Sequence, residues 1–435
     1  MADVQPFRGL RYVREKVGDL AQIITPPFDV ISKEAQARYY ERHPYNVIHL
    51  ELGRQEPTDD TLNNVYTRAA VTLSEWRLQD ILYQEALPGY YIYQQRFTYA
   101  GQTSTRTSLL ARVRLEPWSA RVVLPHEHVR TKDKEDRLNL LRACSTNLSP
   151  IMCMYEDPQE EIRRLLSNYA DKPEIQIVDE VGEEHRLHLI TDPELMILIH
   201  NFFAPRQLYI ADGHHRYTTA LQYRDEVHQQ RLELHPMDGV NFVLMALIDI
   251  EDPGWLVLPT HRILSDLSRD KLNTLSQQQL AQYFTVQALD THESSEKVLA
   301  KLAQAGQQQL SLVLKTQEQT LLLSINEQGK ERMARSGHSA AWNELDVAIV
   351  QTLILEEQLG LSPEDIAAGR YVRYSHDTRD TWQALQSQDA QAIILINGIP
   401  LRQVCDVAQA DDRMPQKSTY LYPKLATGLV MNPLW

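Results

Sequence analysis

The chain has 435 residues, of which 43% are hydrophobic and 23% charged, so it is globular and neither disordered nor fibrous. At roughly 100–200 residues per domain, this length predicts two or three domains. Lys and Arg number 44 against 58 Asp and Glu, a net charge of −14 that disfavours nucleic acid or an anionic membrane as partner.

Cysteine content and hydropathy narrow the protein class further. The three cysteines, Cys144, Cys153 and Cys405, are too few for a disulfide framework, and no CxxC motif occurs. The start of the chain lacks the apolar segment of a secretory signal, and the longest apolar stretch is about half of what spans a bilayer. We therefore expect a soluble, cytoplasmic protein.

In chain order, the first third alternates short predicted elements. Residues 25–32, TPPFDVIS, form a turn by composition, and a helix is predicted to follow them. Residues 46–52 alternate in hydropathy like a strand, whereas residues 61–79 have helical apolar spacing. Residues 90–116 predict a β-hairpin with its turn near Gly101.

The middle of the chain continues this alternation. Residues 124–147 begin in a loop and continue into a charged helix, and residues 155–186 hold ten acidic against four basic residues. A strand and a helix are predicted within residues 185–204, and a strand, a tight turn and a helix within residues 207–226.

A polar segment at residues 228–239 is the best candidate for a domain boundary. We therefore predict a catalytic region over residues 1–230 and a second α/β region over residues 231–435, the latter with several strand-like segments. The predicted fold class is α/β or α+β with mixed sheets.

The strongest chemical signal is ADGHHR at residues 211–216, between an apolar strand and a helical pattern. Backbone N–H groups at a helix N-terminus suit a phosphate, and Gly213 permits a tight turn. Arg216 offers a planar fork for phosphate oxygens, and His214 and His215 add donors. The alternative is a capped turn with a surface arginine.

The second signal is Glu127, which lies between His126 and His128 in a loop after a proline. A carboxylate in this setting can act as a general base. The spacing is not HExxH, so a zinc-protease motif is excluded. Arg130 is a second candidate here, whereas most charges that follow, Arg137 among them, fit a solvated helix face better.

The third signal is a basic segment, residues 413–424, with three basic and no acidic residues. Its Lys-Ser-Thr run lacks the glycines of a Walker loop, so a P-loop NTPase is rejected. Lys417, Ser418, Thr419 and Lys424 are still candidates for binding phosphate. A surface turn is an equally good interpretation.

Several segments together resemble a large bacterial and archaeal family known as a domain of unknown function, and the resemblance spans the chain. They are PFRGLRY (6–12), TPPFDVIS, YNVIHLELG (45–53), the run from LPHEHV through DRLNLLRACSTNLSPI, IADGHHRY, LPTHRIL (258–264) and MPQKSTYLYPKLATGL (414–429).

The DGHHR box also resembles the phosphate-binding turn of the ParB/sulfiredoxin fold, and most closely that of the free serine kinases. This resemblance implies that Glu127 is the base on the acceptor hydroxyl. It also implies that Asp212, His214, His215 and Arg216 handle the donor phosphates, with Asp212 near Mg²⁺. Glu127 and Asp212 lie 85 residues apart, about twice the expected spacing, which implies an insertion near residues 150–190.

The resemblance implies a kinase that transfers a phosphoryl group from pyrophosphate or a nucleotide to free L-serine, giving O-phospho-L-serine. The alternative is a ParB-like switch that binds CTP or ATP on DNA, which the net charge and the lack of a helix-turn-helix signature disfavour. A sulfiredoxin-like reductase is disfavoured because His214 stands where that chemistry needs a cysteine. The sequence leaves the oligomeric state and the phosphoryl donor open.

Overall fold

The computed structural model describes residues 1–128, 131–169, 173–230 and 233–435, excluding the side chains of residues 131–134. It divides the chain into two compact units. The first unit contains Met1–Pro125, Val129–Trp255 and Pro423–Trp435, and the second contains His126–His128 and Leu256–Tyr422.

The strands are, in chain order, β1 Val4–Gln5, β2 Leu10–Tyr12, β3 Leu82–Gln84, β4 Tyr90–Tyr99, β5 Gln102–Arg114, β6 Val123–Leu124, β7 Thr146–Asn147, β8 Ile151–Tyr155, β9 Ile175–Val178, β10 Glu184–Ile190, β11 Leu208–Asp212, β12 Phe242–Asp249, β13 Leu256–Leu258, β14 His261–Leu264, β15 Phe284–Leu289, β16 Ser311–Thr316, β17 Thr320–Ile325, β18 Val372–Ser375, β19 Ala392–Leu395, β20 Tyr420–Tyr422 and β21 Asn432–Pro433.

The α-helices are α1 Arg14–Val17, α2 Lys33–Arg42, α3 Ile48–Glu51, α4 Val65–Leu78, α5 Thr131–Cys144, α6 Glu161–Tyr169, α7 Pro193–Phe203, α8 His214–Gln230, α9 Arg269–Asn273, α10 Gln277–Leu280, α11 Ser295–Gly306, α12 Glu327–Met333, α13 Ala340–Asn343, α14 Asp346–Ile349, α15 Pro363–Ala367, α16 Thr378–Gln386 and α17 Leu401–Gln409. Short 3₁₀ turns lie at Leu20–Gln22, Phe28–Val30, Trp118–Ala120 and Gly239–Asn241, and α14 continues into a π-helical segment, Val350–Gln358.

A mixed sheet forms the centre of the first unit, with the order β6-β11-β8-β12-β5-β4-β10-β9 and β1 beside β5. β6 runs parallel to β11 and β8 runs parallel to β12, whereas the other pairs are antiparallel. β12 is buried at all eight positions, as expected for a central strand with an unbroken apolar sequence. The predicted α/β class with mixed sheets is therefore confirmed.

The second unit has its own sheet, which is antiparallel throughout in the order β15-β17-β16-β19-β14-β18. Helices α11 and α16 pack on it, because Val298, Leu302 and Leu385 join the strand residues Ile263 and Ile393 in one buried cluster. A separate two-stranded pair is formed by β13 and β20.

The division between the units differs from the boundary predicted at residues 230 and 231. β12 follows the polar segment at residues 228–239 but pairs with β5 and β8 of the first unit. The chain leaves the first unit after Trp255 and returns to it at Pro423. A polar connection between two elements of one sheet therefore has the same composition as a linker.

Most of the predicted elements are present, including the hairpin of β4 and β5, in which Tyr99 pairs with Gln102. The strand predicted over residues 46–52 is wrong, because the short helix α3 lies there. The Asn46 side chain accepts the Ile48 N–H at 2.9 Å and so favours a turn over an extended backbone. Among the described residues, no helix is long and apolar enough to cross a membrane.

Candidate functional site

The DGHHR segment forms the junction between a buried strand and a long helix. β11 ends at Asp212 and α8 begins at His214, so Gly213 alone joins them. Gly213 has a φ of +100°, a conformation that side-chain-bearing residues rarely adopt. Tyr217 N donates to Gly213 O at 3.1 Å, which is the first hydrogen bond of the helix. The backbone N–H groups of the residues before Tyr217 therefore have no acceptor within the helix. The predicted strand, turn and helix are confirmed, and the helix N-terminus offers donors to an anion.

A β-bulge lies directly before this junction. Ile210 pairs with Cys153 of β8, but Asp212 pairs with the adjacent Met152, so the register shifts between the two positions. Bulges bend a strand and change the direction of its side chains, and they are common beside binding sites. Ala211, in the bulge, thus separates the regular strand from Asp212.

Two cations hold the Asp212 carboxylate. Lys424 Nζ lies 3.0 Å from Asp212 Oδ1, and Arg216 NH2 lies 3.1 Å from Oδ2. Burial disfavours ionisation of this carboxyl, but Lys424 and Arg216 outweigh it and hold the pKa of Asp212 well below its ordinary value. Asp212 is therefore ionised at neutral pH and fixes the position of both cations.

Arg216 is anchored on the opposite side by the loop before β8. Its NH1 donates to Ser149 Oγ at 3.2 Å and to the carbonyl of Pro150 at 2.6 Å. With the bond to Asp212, three of the five guanidinium N–H groups have protein acceptors. The guanidinium is held in a fixed orientation, with two N–H groups uncommitted among the described residues.

A buried ion pair lies behind Arg216. Ser149 Oγ donates to Glu51 Oε1 at 3.1 Å, and Arg137 NH1 lies 3.6 Å from the same oxygen. Glu51 and Arg137 are only 2% and 7% exposed. Burial raises the pKa of Glu51, while Arg137 and Arg216 oppose that rise. We call the set the buried ion-pair network; its members are Arg137, Glu51, Ser149, Arg216, Asp212 and Lys424.

Lys424 is held in place through its backbone. Gln95 Nε2 donates to the Lys424 carbonyl at 2.8 Å, and Arg106 NH2 donates to the Pro423 carbonyl at 2.5 Å. Arg106 is fully buried, and desolvation lowers its pKa to about 10. Two polar side chains of the central hairpin therefore fix the short segment that carries Lys424.

The two histidines of the box differ in burial. His214 is buried, and its carbonyl accepts the Thr218 hydroxyl at 3.0 Å within the first turns of α8. His215 is half-buried. Both residues occupy the first turn of the helix, where the sequence predicted donors for an anion.

Glu127 belongs to the second unit, in the three-residue segment His126–His128. Met414 N donates to the carbonyl of His126 at 2.8 Å, so this segment lies against the start of MPQKST. His126 is buried, its Nε2 lies 4.0 Å from Glu127 Oε1, and the Glu127 side chain is about one third exposed. The structure thus joins two motifs that are separated by more than half of the chain.

The basic MPQKST segment forms a tight turn. Ser418 is buried and its hydroxyl donates to the carbonyl of Pro415 at 2.5 Å, so that proton stabilises the turn. Lys417 is exposed with a φ of +56°, and Thr419 is half-buried. Arg130 lies outside the described residues.

Sequence reasoning missed three polar residues around the box. Glu51 and Arg106 lie within predicted elements and Ser149 lies two residues after one, but none of the three was predicted to have a functional role. Arg137, which was predicted on a solvated helix face, is instead buried against Glu51. A carboxylate between two leucines at residues 50–52 was the one signal available for Glu51.

The chain belongs to a family described as protein of unknown function (DUF1015), which matches residues 4–348. The resemblance inferred from the sequence motifs is confirmed. A search of curated proteins finds no match.

Three solved structures are distantly similar. A free serine kinase in complex with AMP has a TM-score of 0.36 and 10% identity, over 72% of this chain and 86% of its own. A conserved hypothetical protein from Pyrococcus furiosus has a TM-score of 0.34 and 11% identity, over 73% and 92%. SbnI with a C-terminal truncation, from Staphylococcus aureus, has a TM-score of 0.37 and 11% identity, over 75% and 87%.

Proposed function

We propose that this protein is a phosphotransferase that moves a phosphoryl group from pyrophosphate, or from a nucleotide, to the hydroxyl of free L-serine. The observation that carries the proposal is Asp212, held between Lys424 and Arg216 where β11 meets α8. A helix N-terminus flanked by two fixed cations is suited to phosphoryl oxygens. Serine as acceptor comes from the resemblance of the motifs to the free serine kinases.

Phosphoryl transfer asks a protein mainly for positioning and for neutralisation of charge. In the proposed step, serine Oγ forms a bond to the terminal phosphorus of the donor, and the bridging P–O bond breaks. The resemblance to the free serine kinases assigns the hydroxyl proton to the Glu127 carboxylate, and the remaining phosphate leaves with the electron pair of the broken bond. Lys424, Arg216 and the backbone N–H groups of the first turn of α8 hold the donor oxygens.

The remaining candidates have supporting roles in this proposal. Gly213 permits the turn, and His214 and His215 donate to the phosphates. Lys417, Ser418 and Thr419 are proposed as further phosphate-binding residues. In this structure the Ser418 hydroxyl donates its proton to the Pro415 carbonyl, so in this proposal the hydroxyl rotates to donate to a phosphate oxygen.

Mg²⁺ enters the proposal as part of the donor, in a complex with the pyrophosphate or nucleotide. Asp212 remains the metal ligand that the resemblance implies, and since Lys424 and Arg216 each take one lone pair of its two oxygens, a metal would bond to a remaining lone pair. Asp179, Glu183 and His185 have possible metal-ligand atoms within 4.8 Å of one another. His185, however, is already hydrogen-bonded to Tyr93 and Asp179. We assign no step to a protein-bound metal.

The direct test incubates the purified protein with Mg²⁺, L-serine and each of pyrophosphate, ADP and ATP, and measures O-phosphoserine by mass spectrometry. We expect product with at least one donor and none when EDTA removes Mg²⁺. If no donor gives product, the proposal is refuted.

Variants assign the roles. Lys424→Met should lower kcat/KM by about 100-fold or more, because one donor to a developing charge is worth that much in enzymes. Arg164→Met, an exposed arginine on α6, is the matched control and should retain full activity. Glu127→Gln should abolish turnover and leave donor binding intact; if Glu127→Gln remains active, another group is the base.

A further inference from the structure

The second unit contains a buried arginine whose charge is barely compensated. Arg262 lies on β14 within the LPTHRIL motif, and it is 2% exposed. Its NH1 donates to the carbonyl of Thr260, while its Nε has no hydrogen-bond partner among the described residues. No carboxylate in the described part of the chain lies within 4 Å of this guanidinium.

The hydroxyl of Thr260 is a second buried hydrogen-bond donor, two residues before Arg262. The residue is 6% exposed, and its Oγ1 also lacks a hydrogen-bond partner within the described ranges. Thr260 is the residue directly before β14 and Arg262 is the second residue of that strand, so the two buried donors belong to one short segment. Arg262 NH1 donates to the Thr260 carbonyl, so the guanidinium lies against the backbone of the residue that carries this hydroxyl.

The surroundings do not neutralise the guanidinium. The nearest compensating groups are the Tyr374 ring, whose centroid is 5.4 Å away, and Asp346, which acts on Arg262 without forming an ion pair. Burial raises the pKa of Asp346 to about 7, so this carboxyl is only partly charged at neutral pH. A buried charge without a partner is costly and is seldom retained in a protein core.

We propose that Thr260 and Arg262 form an oxyanion-binding site of the second unit, for a phosphate-type ligand. The guanidinium supplies a planar pair of N–H donors and the Thr260 hydroxyl supplies a third, a set that suits a tetrahedral oxyanion better than a flat carboxylate. The proposal rests on β14 and on Thr260, the residue directly before it. It requires no phosphotransfer activity.

The test measures binding of inorganic phosphate to the full chain by calorimetry and by thermal unfolding, against sodium chloride at equal ionic strength. We expect phosphate to raise the Tm of the wild type, and Arg262→Met and Thr260→Val each to weaken one binding event at least about ten-fold. Lys424→Met, which alters only the box of the first unit, should retain that event. Loss of the event in Lys424→Met and not in Arg262→Met would overturn the proposal.

A second comparison keeps the proposal testable if one variant folds poorly. Without phosphate, Arg262→Met should be as stable as the wild type or more stable, because the substitution removes an uncompensated charge. If Arg262→Met is less stable to the same extent with and without phosphate, and Asp346→Asn restores it, Arg262 is a structural partner of Asp346 and the proposal fails. Acetate should not replace phosphate; equal binding of acetate would exclude a phosphate-type site.

Discussion

Arg216 in the first unit is half-buried and Arg262 in the second is buried, and the two guanidinium groups differ in how the protein compensates them. In the first unit, Arg216 donates to Ser149, Pro150 and Asp212 and belongs to a network in which positive and negative side chains alternate. In the second unit, Arg262 donates to one carbonyl, and its nearest acid forms no ion pair with it. The first guanidinium is oriented by the protein, whereas the second retains donor capacity in a dry environment.

This difference separates two ways of preparing a cation for an anionic ligand. A network that is already paired fixes the geometry before the ligand arrives, so little reorganisation accompanies binding. A cation without a partner gains more when a ligand arrives, but it lowers stability until then. Stability measurements on matched variants of the two units should therefore move in different directions.

The largest expected effect comes from breaking the network of the first unit. Arg137→Met leaves Glu51 buried without its partner, and we expect the free energy of unfolding to fall by about 3–5 kcal/mol. Urea denaturation measures this change. Adding Glu51→Gln to the variant should recover much of the loss, since the amide carries no charge. A loss below about 1 kcal/mol would show that the pair is not desolvated as the structure indicates.

The second effect concerns His261, a neutral buried group of the second unit. Desolvation lowers its pKa to about 4, and its Nε2 lies 3.0 Å from Thr378 Oγ1. Between the ordinary value and about pH 4, the unfolded chain binds the proton and the folded chain does not, so stability is lost as the pH falls. The stability advantage of the wild type over His261→Gln should shrink by about 2 kcal/mol between about pH 7.5 and about pH 5. If the stability advantage of the wild type stays constant over this pH range, the pKa of His261 is not lowered by burial.

The third prediction tests the turn that places Arg216. Gly213→Ala should lower stability by about 1–2 kcal/mol, because the backbone φ is positive and strained for alanine. The added Cβ would also lie 2.9 Å from Arg216 NH2. Gly182→Ala is the control: it has a φ of +85° with nothing within 4 Å, so it reports backbone strain alone. Phosphate affinity should fall in Gly213→Ala and not in Gly182→Ala.

The smallest effect sets the scale for the others. Arg164 is 74% exposed and pairs with Glu160 one turn earlier on the surface of the first unit. Arg164→Ala should change the free energy of unfolding by about 0.5 kcal/mol or less, because solvent screens an exposed pair. A larger change in the same urea experiment would mean that the loss of any ion pair, whether buried or exposed, lowers the free energy of unfolding by a similar amount.

The sequence predicted the strand, turn and helix of the box because each has a local signal. Apolar residues precede Asp212, Gly213 permits the positive φ, and a helical pattern follows, so no distant contact was needed to place them. The α/β class with mixed sheets followed in the same way from the alternation of short elements.

The ion-pair network could not be predicted, because its members come from five separate segments of the chain. Glu51 ends the short helix α3, Ser149 lies in a loop, and Lys424 belongs to a segment more than 200 residues beyond Asp212. Local pattern placed Arg137 on a solvated face, since burial of a charge depends on a partner that is remote in sequence. β12 was assigned to the second region for a similar reason: its partners β5 and β8 are remote in sequence, and local pattern does not show which strands pair.

Residues 423–435 belong to the first unit but follow the whole of the second unit in sequence, so the first unit cannot fold completely until they are made. They carry Lys424, pair β21 with β7, and place Leu434 in the hydrophobic core of that unit. During synthesis on a ribosome, the residues of the second unit are therefore all made before the first unit has its last strand. The first unit must wait, with the strand partner of β7 and one of the two cations of Asp212 missing, while the second unit can already fold. Its assembly depends on contacts of high sequence separation, which makes it the slower of the two to complete.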